Sequence, residues 1–236
     1  MASWMVHLRV AQAVLDQMPA LCPREFIVGN LAPDSGVPNA DWSAFTPSAD
    51  ISHFKVRDER GDAVVAPQGF VDAYLTAQQY AAYDARQRSF YLGYWCHLVT
   101  DVLWVRDIVS PSKAADADAY RADPTAAVWK WKKDWYDLDF LYLREHPDFA
   151  AFALYRTATD FENVYMEEFS PDAFANRCAY ITAFYHDERE HGVLDRDYPY
   201  LTRERMDAFV DGAAAQITAA LSALQYSDLS AEMNEG

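Results

Sequence analysis

Residues 91–104 have the sequence YLGYWCHLVTDVLW and form the most apolar stretch of the chain. Apolar residues occur on most sides of this stretch, so we predict a buried, central helix over residues 89–105. His97 and Asp101 lie four residues apart in it, which puts both side chains on one helix face. A carboxylate in such a helix is costly unless something positive compensates it, and a metal ion is a suitable partner.

Three further residues of the kind that bind divalent metals precede this helix, namely His7, Asp34 and His53. Taken singly, each has an ordinary explanation, since a histidine in an apolar helix is often a hydrogen-bonded core residue and an aspartate after proline is a common turn. Taken with His97 and Asp101, they predict one mixed imidazole and carboxylate site. Such ligands suit zinc, or manganese and iron where carboxylates dominate.

The rest of the chain has mainly helical periodicity. Apolar residues recur at helical spacing in residues 4–18 and 68–83, whereas residues 29–47 and 110–124 are rich in proline and polar residues and predict loops. Ser170 and Thr202 are candidate helix caps. No alternating strand pattern is apparent, so we predict an all-α, single-domain helical bundle. Its domain would span residues 1–226, with a disordered tail over 227–236.

The composition limits the classes of partner. Hydrophobic residues make up 51% of the 236 residues, which is enough for a packed core, and the formal net charge is -16. This charge opposes binding to duplex nucleic acid and to anionic membrane surfaces, because both rely on basic residues. A small phosphorylated substrate is compatible with the charge, because bound cations would offset it locally.

Cysteine usage and the N-terminal sequence indicate a cytoplasmic location. Cys22, Cys96 and Cys178 are widely spaced, and neither a disulfide framework nor a thiolate zinc site follows from an odd count without a CxxC pattern. The first residues, MASWMVHLRV, lack the pattern of a secretion signal, and no stretch is long and apolar enough to cross a membrane.

Four separate segments together resemble a known family. They are the first helix with His7, GNLAPDSG with Asp34, ISHF with His53, and YLGYWCHLVTDVLW with His97 and Asp101. In this order they resemble the zinc-dependent phospholipase C superfamily, which includes the fungal single-strand nucleases, and most closely its bacterial cytoplasmic hydrolases. The resemblance extends through KKDWYDLDFLYL and DRDYPYLT, so it covers most of the chain.

The resemblance implies an all-α fold around one to three divalent metal ions. Asp34, His53, His97 and Asp101 would hold one ion, and His7 would hold a neighbouring ion that Asp101 bridges. Bound metal would generate hydroxide near neutral pH, with Asp34 or Asp101 as the catalytic carboxylate beside it. The implied reaction is hydrolysis of a phosphoester in a small phosphorylated or lipid-derived substrate.

The chain departs from the secreted members of that superfamily. Those members use the free amine of an N-terminal Trp as a ligand, whereas Trp4 is internal here. They also carry a His where this chain has Asp107, and a later HxxxE or HxxxD pair whose counterpart is His186 with Glu190. At least one metal site is therefore expected to be altered or lost. Other candidate ligands for these ions are Asp134, Asp137 and Asp139.

Two other functions stay open at this point. A helical protein could retain a structural metal and lack catalysis because the later ligands have changed. A metallohydrolase could also act on a bond other than a phosphoester, since metal ligands say little about the electrophile. Motifs for dinucleotide binding, P-loop chemistry and serine hydrolysis are absent from the sequence.

Overall fold

The computed structural model describes residues 1–41, 43–187 and 192–234, with side chains up to residue 223. Most of this part is helical, so the predicted all-α class is confirmed. A π-helical segment, Val105–Val109, continues from the sixth helix. The helices are α1 (Trp4–Gln17), α2 (Pro23–Leu31), α3 (Ala49–Ser52), α4 (Pro67–Tyr74), α5 (Ala77–Ala82), α6 (Ala85–Trp104), α7 (Ser110–Ala115), α8 (Ala117–Ala122), α9 (Pro124–Glu145), α10 (Ala150–Tyr155), α11 (Ala173–His186) and α12 (Arg203–Asn234).

Two short antiparallel hairpins lie between α2 and α4. The strands are β1 (Val37–Pro38), which pairs with β2 (Phe45–Thr46), and β3 (Lys55–Arg57), which pairs with β4 (Ala63–Val65). The prediction of a loop over residues 29–47 is therefore partly wrong. The first residues of this segment belong to α2, and the hairpin of β1 and β2 lies within the segment. Strands of two or three residues are too short for alternation to reveal them.

Two other predicted segments need correction. The helix expected over residues 68–83 is divided in two, because Thr76 and Gln79 form a capping box that starts α5. The segment 110–124, expected to be an irregular loop, is largely helical as α7 and α8. Its prolines do not prevent this, because Pro111 lies in the first turn of α7 and Pro124 begins α9.

Helix α6 is the centre of the fold, as its apolar sequence predicts. It packs closely on α2 because each helix offers a glycine at the crossing. A Cβ atom at Gly93 would lie 2.1 Å from the carbonyl oxygen of Phe26, and one at Gly29 would lie 2.1 Å from that of Phe90. No side chain fits at these distances, so the two glycines allow the backbones to touch.

Helices α1, α9 and α12 complete the core around α6. Trp104 is fully buried and makes edge contacts with Trp135 of α9 and Phe209 of α12. Within the described residues, no helix combines the length and apolarity needed to span a membrane. The end of the domain at residue 226 stays a prediction.

We predict that Gly93→Ala lowers the free energy of unfolding by about 1–3 kcal/mol or more, because the added methyl group would force α2 and α6 apart. Urea denaturation would measure the loss. Gly212→Ala is a matched control, since a Cβ at Gly212 would meet no atom within 4 Å. We expect that control to be neutral or slightly stabilising in its helix, and similar losses in both variants would contradict the role of the crossing.

Candidate metal centre

The α2–α6 crossing fixes the orientation of His97. Its Nδ1 atom lies 2.7 Å from the backbone carbonyl oxygen of Asn30, at the end of α2. A carbonyl only accepts hydrogen bonds, so Nδ1 carries the proton and donates it. The Nε2 atom of His97 therefore has a free lone pair, which is the form that binds a metal.

Asp34 and His53 reach the same point from the segment that follows α2. Asp34 ends a 3-10 turn, Ala32–Asp34, that continues directly from α2. Its Oδ2 atom accepts a hydrogen bond of 2.9 Å from the indole nitrogen of Trp4. His53 follows α3 and is 1% exposed, and its Nδ1 atom lies 2.9 Å from the hydroxyl of Ser52. These contacts turn Asp34 Oδ1 and His53 Nε2 toward each other.

The separations between ligand atoms match those around a single ion. His53 Nε2 lies 3.3 Å from His97 Nε2 and 3.4 Å from Asp34 Oδ1. Asp101 Oδ2 lies 3.7 Å from His97 Nε2 and 3.8 Å from His53 Nε2. Tetrahedral ligands bound at about 2.1 Å are separated by about 3.4 Å. Asp34, His53 and His97, whose ligand atoms all lie within 4.8 Å of one another, could therefore hold one zinc-sized ion, and Asp101 lies beside the two histidines.

A second group is formed by His7, His97 and Asp101. The ring of His7 stacks on that of His97 with centroids 3.8 Å apart, and its Nε2 atom lies 3.4 Å from Asp101 Oδ1. Asp101 thus directs one oxygen at His7 and the other at His53 and His97. This is the arrangement that a carboxylate bridging two ions requires.

Unpaired polar atoms support a metal at this place. Both ring nitrogens of His7 and the Oδ2 atom of Asp101 are buried without a hydrogen-bond partner. Leaving such atoms unpaired in a core is costly, and native proteins rarely do so without a ligand or ion. The nitrogen and carboxylate donors also match the preferences of zinc. The residues therefore fit the metal that the resemblance implies.

The protonation of these groups also suits cation binding. Burial raises the pKa of Asp34, but neighbouring His53 and His97 outweigh it and hold the pKa well below its usual range. The pKa of Asp101 is likewise held low, because His7 and His97 outweigh its burial. Burial and the proximity of His7 lower the pKa of His97 to about 3. The centre therefore offers ionised carboxylates and a neutral imidazole.

The alternative ligands considered from sequence lie elsewhere or are already paired. Asp107 forms an ion pair with Arg106 on the surface. Asp134 and Asp137 both accept hydrogen bonds from Arg196, which joins the segment after residue 192 to α9. The side chain of His186 is exposed and contacts the ring of Phe152. Glu190 lies outside the described residues. None of the described alternatives belongs to either ligand group.

Asp139, the remaining alternative ligand, is buried beneath the start of α1. It accepts hydrogen bonds from the hydroxyls of Ser3 and Tyr185, at 2.8 and 2.9 Å. Burial raises its pKa to about 7, although these two hydrogen bonds oppose the rise. It belongs to neither ligand group and connects α9 to α1 and α11.

Several contacts of the centre were not predicted from sequence. The carbonyl of Asn30 orients His97. This contact could not be predicted from residue types, because every residue has a backbone carbonyl. The indole of Trp4 holds Asp34, and the backbone N–H of Ala2 donates to Asp101 Oδ1 at 2.8 Å. The only signal for Trp4 was the N-terminal Trp that secreted members of the resembling superfamily use as a ligand.

We predict that His97→Ala lowers the melting temperature less when a chelator is already present. Metal bound to the folded state adds stability, about 2.7 kcal/mol at a free concentration 100 times Kd, and the variant would lose that contribution. Thermal melts with and without chelator make the comparison. His146→Ala, at the exposed end of α9, is the control. Equal losses in both conditions would identify His97 as a core residue only.

We also predict that Asp139→Asn changes how stability depends on pH. The folded protein keeps the Asp139 proton up to about pH 7, whereas the unfolded chain releases it near 3.8. Wild-type stability should therefore fall relative to the variant as pH rises from 4 to 7, with a slope approaching about 1.4 kcal/mol per pH unit. Urea denaturation across this range measures it, and parallel profiles would contradict the buried, protonated carboxyl.

The comparisons with known proteins agree with this geometry. No curated protein and no solved structure matches the chain. A family model described as zinc dependent phospholipase C matches residues 6–221, a span that includes His7, Asp34, His53, His97 and Asp101. Because the match covers most of the chain, the resemblance is confirmed, and the protein belongs to the zinc-dependent phospholipase C family.

Proposed function

We propose that this protein is a metal-dependent hydrolase that cleaves phosphoesters with water as the nucleophile. The observation that carries the proposal is the convergence of five ligand side chains whose facing atoms are buried and partly without hydrogen bonds. Zinc is the first choice of metal, and manganese or iron are the alternatives. Family membership supports a hydrolase, and the phosphoester reaction is our proposal.

Two ion positions account for the arrangement of the side chains. Asp34, His53 and His97 would hold one ion together with Asp101 Oδ2, and His7 would hold another with Asp101 Oδ1. His97 can bind only one ion, because its Nδ1–H donates a hydrogen bond to the backbone carbonyl of Asn30. Bound metal would lower the pKa of water and neutralise charge on the phosphate.

The two carboxylates differ in access, which suggests different roles. Asp34 lines an open cleft and is 12% exposed, whereas the side chain of Asp101 is 1% exposed and does not line that cleft. The indole N–H of Trp4 donates a hydrogen bond to Asp34 Oδ2, and this oxygen keeps a second lone pair that can accept a proton. We therefore assign proton acceptance from water to Asp34, in addition to its place among the ligands of the first ion, and to Asp101 the holding of cations alone.

The surroundings indicate the substrate and the compartment. The cleft has a volume of about 320 Å³, at the lower end of the range of roughly 300–1,000 Å³ for small-molecule sites. A small phosphorylated or lipid-derived molecule fits this size. The three cysteines are free, as expected for the reducing cytoplasm that we propose as the location.

We predict that Asp101→Asn lowers phosphoester turnover by about a hundredfold or more while the helical content is retained. The amide keeps the shape of the side chain and loses the charge that two cations share. Turnover would be measured on zinc-loaded protein with p-nitrophenyl phosphate, p-nitrophenyl phenylphosphonate, phosphatidylcholine and single-stranded oligonucleotides. Circular dichroism would report the helical content.

Asp107→Asn is the matched control, because it removes the same charge from a surface position near the end of α6. We expect its turnover to equal that of the wild type. Unchanged turnover in Asp101→Asn would contradict its bridging role. Tight zinc binding without turnover of any of these substrates, also with manganese or iron, would instead indicate a metal-binding protein without catalysis.

A further inference from the structure

The cleft beside the metal centre contains two basic side chains. Asp34 and His53 line it, and so do Lys132 of α9 and Arg177 of α11. The guanidinium of Arg177 donates a hydrogen bond of 2.7 Å to the carbonyl of Gly36, two residues beyond Asp34. The basic side chains are therefore part of the same opening as the candidate catalytic carboxylate.

These two cations lack carboxylate partners in the part of the chain that the structure describes. The Nζ atom of Lys132 lies 5.0 Å from the ring centroid of Trp129. Arg177 bonds to Gly36 and lies 5.4 Å from the ring centroid of Tyr180.

Two other basic residues that contact α9 do have acidic partners. Arg196 binds Asp134 and Asp137, and Lys133, the neighbour of Lys132, also pairs with Asp137. Lys133 and Arg196, which form ion pairs with side chains of α9, thus both have acidic partners. Within the described residues, neither Lys132 nor Arg177 has such a partner.

Their burial makes the missing partner costly. Arg177 is 8% exposed, and one hydrogen bond uses only one of the five N–H donors of its guanidinium. Lys132 is half-buried, and desolvation lowers its pKa. A buried cation without a counter-charge is unfavourable, and an anion arriving in the cleft would remove that cost.

We propose that Lys132 and Arg177 bind a second anionic group, carried by the organic part of a small phosphoester substrate. The inference rests on the proposed function, since the metal centre would take the phosphate of the same molecule. Carboxylates and phosphates are the anionic groups that lysine and arginine side chains bind. The rings of Trp4, Tyr136 and Tyr180 also line the cleft and would contact the carbon skeleton.

This assignment separates the expected substrate from other phosphoesters. A cationic alcohol such as choline would bring a positive charge beside these two cations, which is unfavourable. A neutral alcohol such as glycerol would leave both cations without a partner. A small phosphoester with an acidic alcohol part would gain binding free energy from both side chains. The protein's preference for such a substrate should therefore depend on Lys132.

The experiment compares pairs of phosphomonoesters that differ in the presence of a carboxylate. One pair is 3-phosphoglycerate and glycerol 3-phosphate, which differ by a carboxylate in place of a hydroxymethyl group. The second pair is 3-carboxyphenyl phosphate and phenyl phosphate, and phosphocholine is the cationic probe. Phosphate release by zinc-loaded protein gives kcat/KM. Titration calorimetry gives affinities for the same compounds if no phosphate is released.

The variants are Lys132→Gln, Lys132→Arg and the control Lys130→Gln, which removes the same charge from an exposed position on α9 outside the cleft lining. We expect wild type to prefer the carboxylated member of at least one pair by about tenfold or more, the size of one charge-assisted hydrogen bond. Lys132→Gln should abolish the preference, and the other two variants should retain it. Equal melting temperatures would show that the variants remain folded.

The outcomes separate this inference from the proposed function. Phosphate release without a preference for carboxylated substrates, or with a preference that Lys132→Gln retains, would overturn the inference and support the phosphoester reaction. No release, but tighter calorimetric binding of the carboxylated compounds that needs Lys132, would support the anion site and contradict the reaction. No release and no such preference would overturn both.

Discussion

The hydrogen bond from His97 to the carbonyl of Asn30 joins the main packing contact of the fold to the candidate metal centre. It forms because Gly29 and Gly93 let α2 and α6 touch along their backbones. The bond decides which nitrogen of His97 keeps its proton, and hence which nitrogen faces Asp101 and His53. A change in the distance between the two helices would therefore affect stability and ligand geometry together, because one crossing serves both.

Aspartates in the interior have three different fates, and their neighbours explain each one. Asp34 and Asp101 lie among imidazoles that hold their pKa values low, so they stay ionised and can hold cations. Asp139 accepts hydrogen bonds from two hydroxyls, and burial raises its pKa to about 7. Asp134 and Asp137 form ion pairs with Arg196, and Asp137 also pairs with Lys133. Carboxylates of the same kind thus become candidate ligands, a buried acid, or structural ion-pair partners.

The distribution of charge suggests how the protein would select substrates. The chain is strongly acidic, yet the cleft beside the metal centre contains Lys132 and Arg177 without acidic partners among the described residues. Bound metal would add further positive charge next to them. A small phosphoester with a second acidic group would fit this field better than duplex nucleic acid, which would meet the acidic surface elsewhere.

The sequence by itself determined the helical class, the central helix α6 and the five candidate ligands, because helical periodicity and i, i+4 spacing are local properties. It also carried the family resemblance, since four short segments match in order. Only the tertiary structure decided which carboxylates meet the histidines. Asp134 and Asp137 looked like ligands by residue type, but Arg196, some 60 positions away in sequence, pairs with both. Such a partner depends on how distant segments pack, and no local pattern records it.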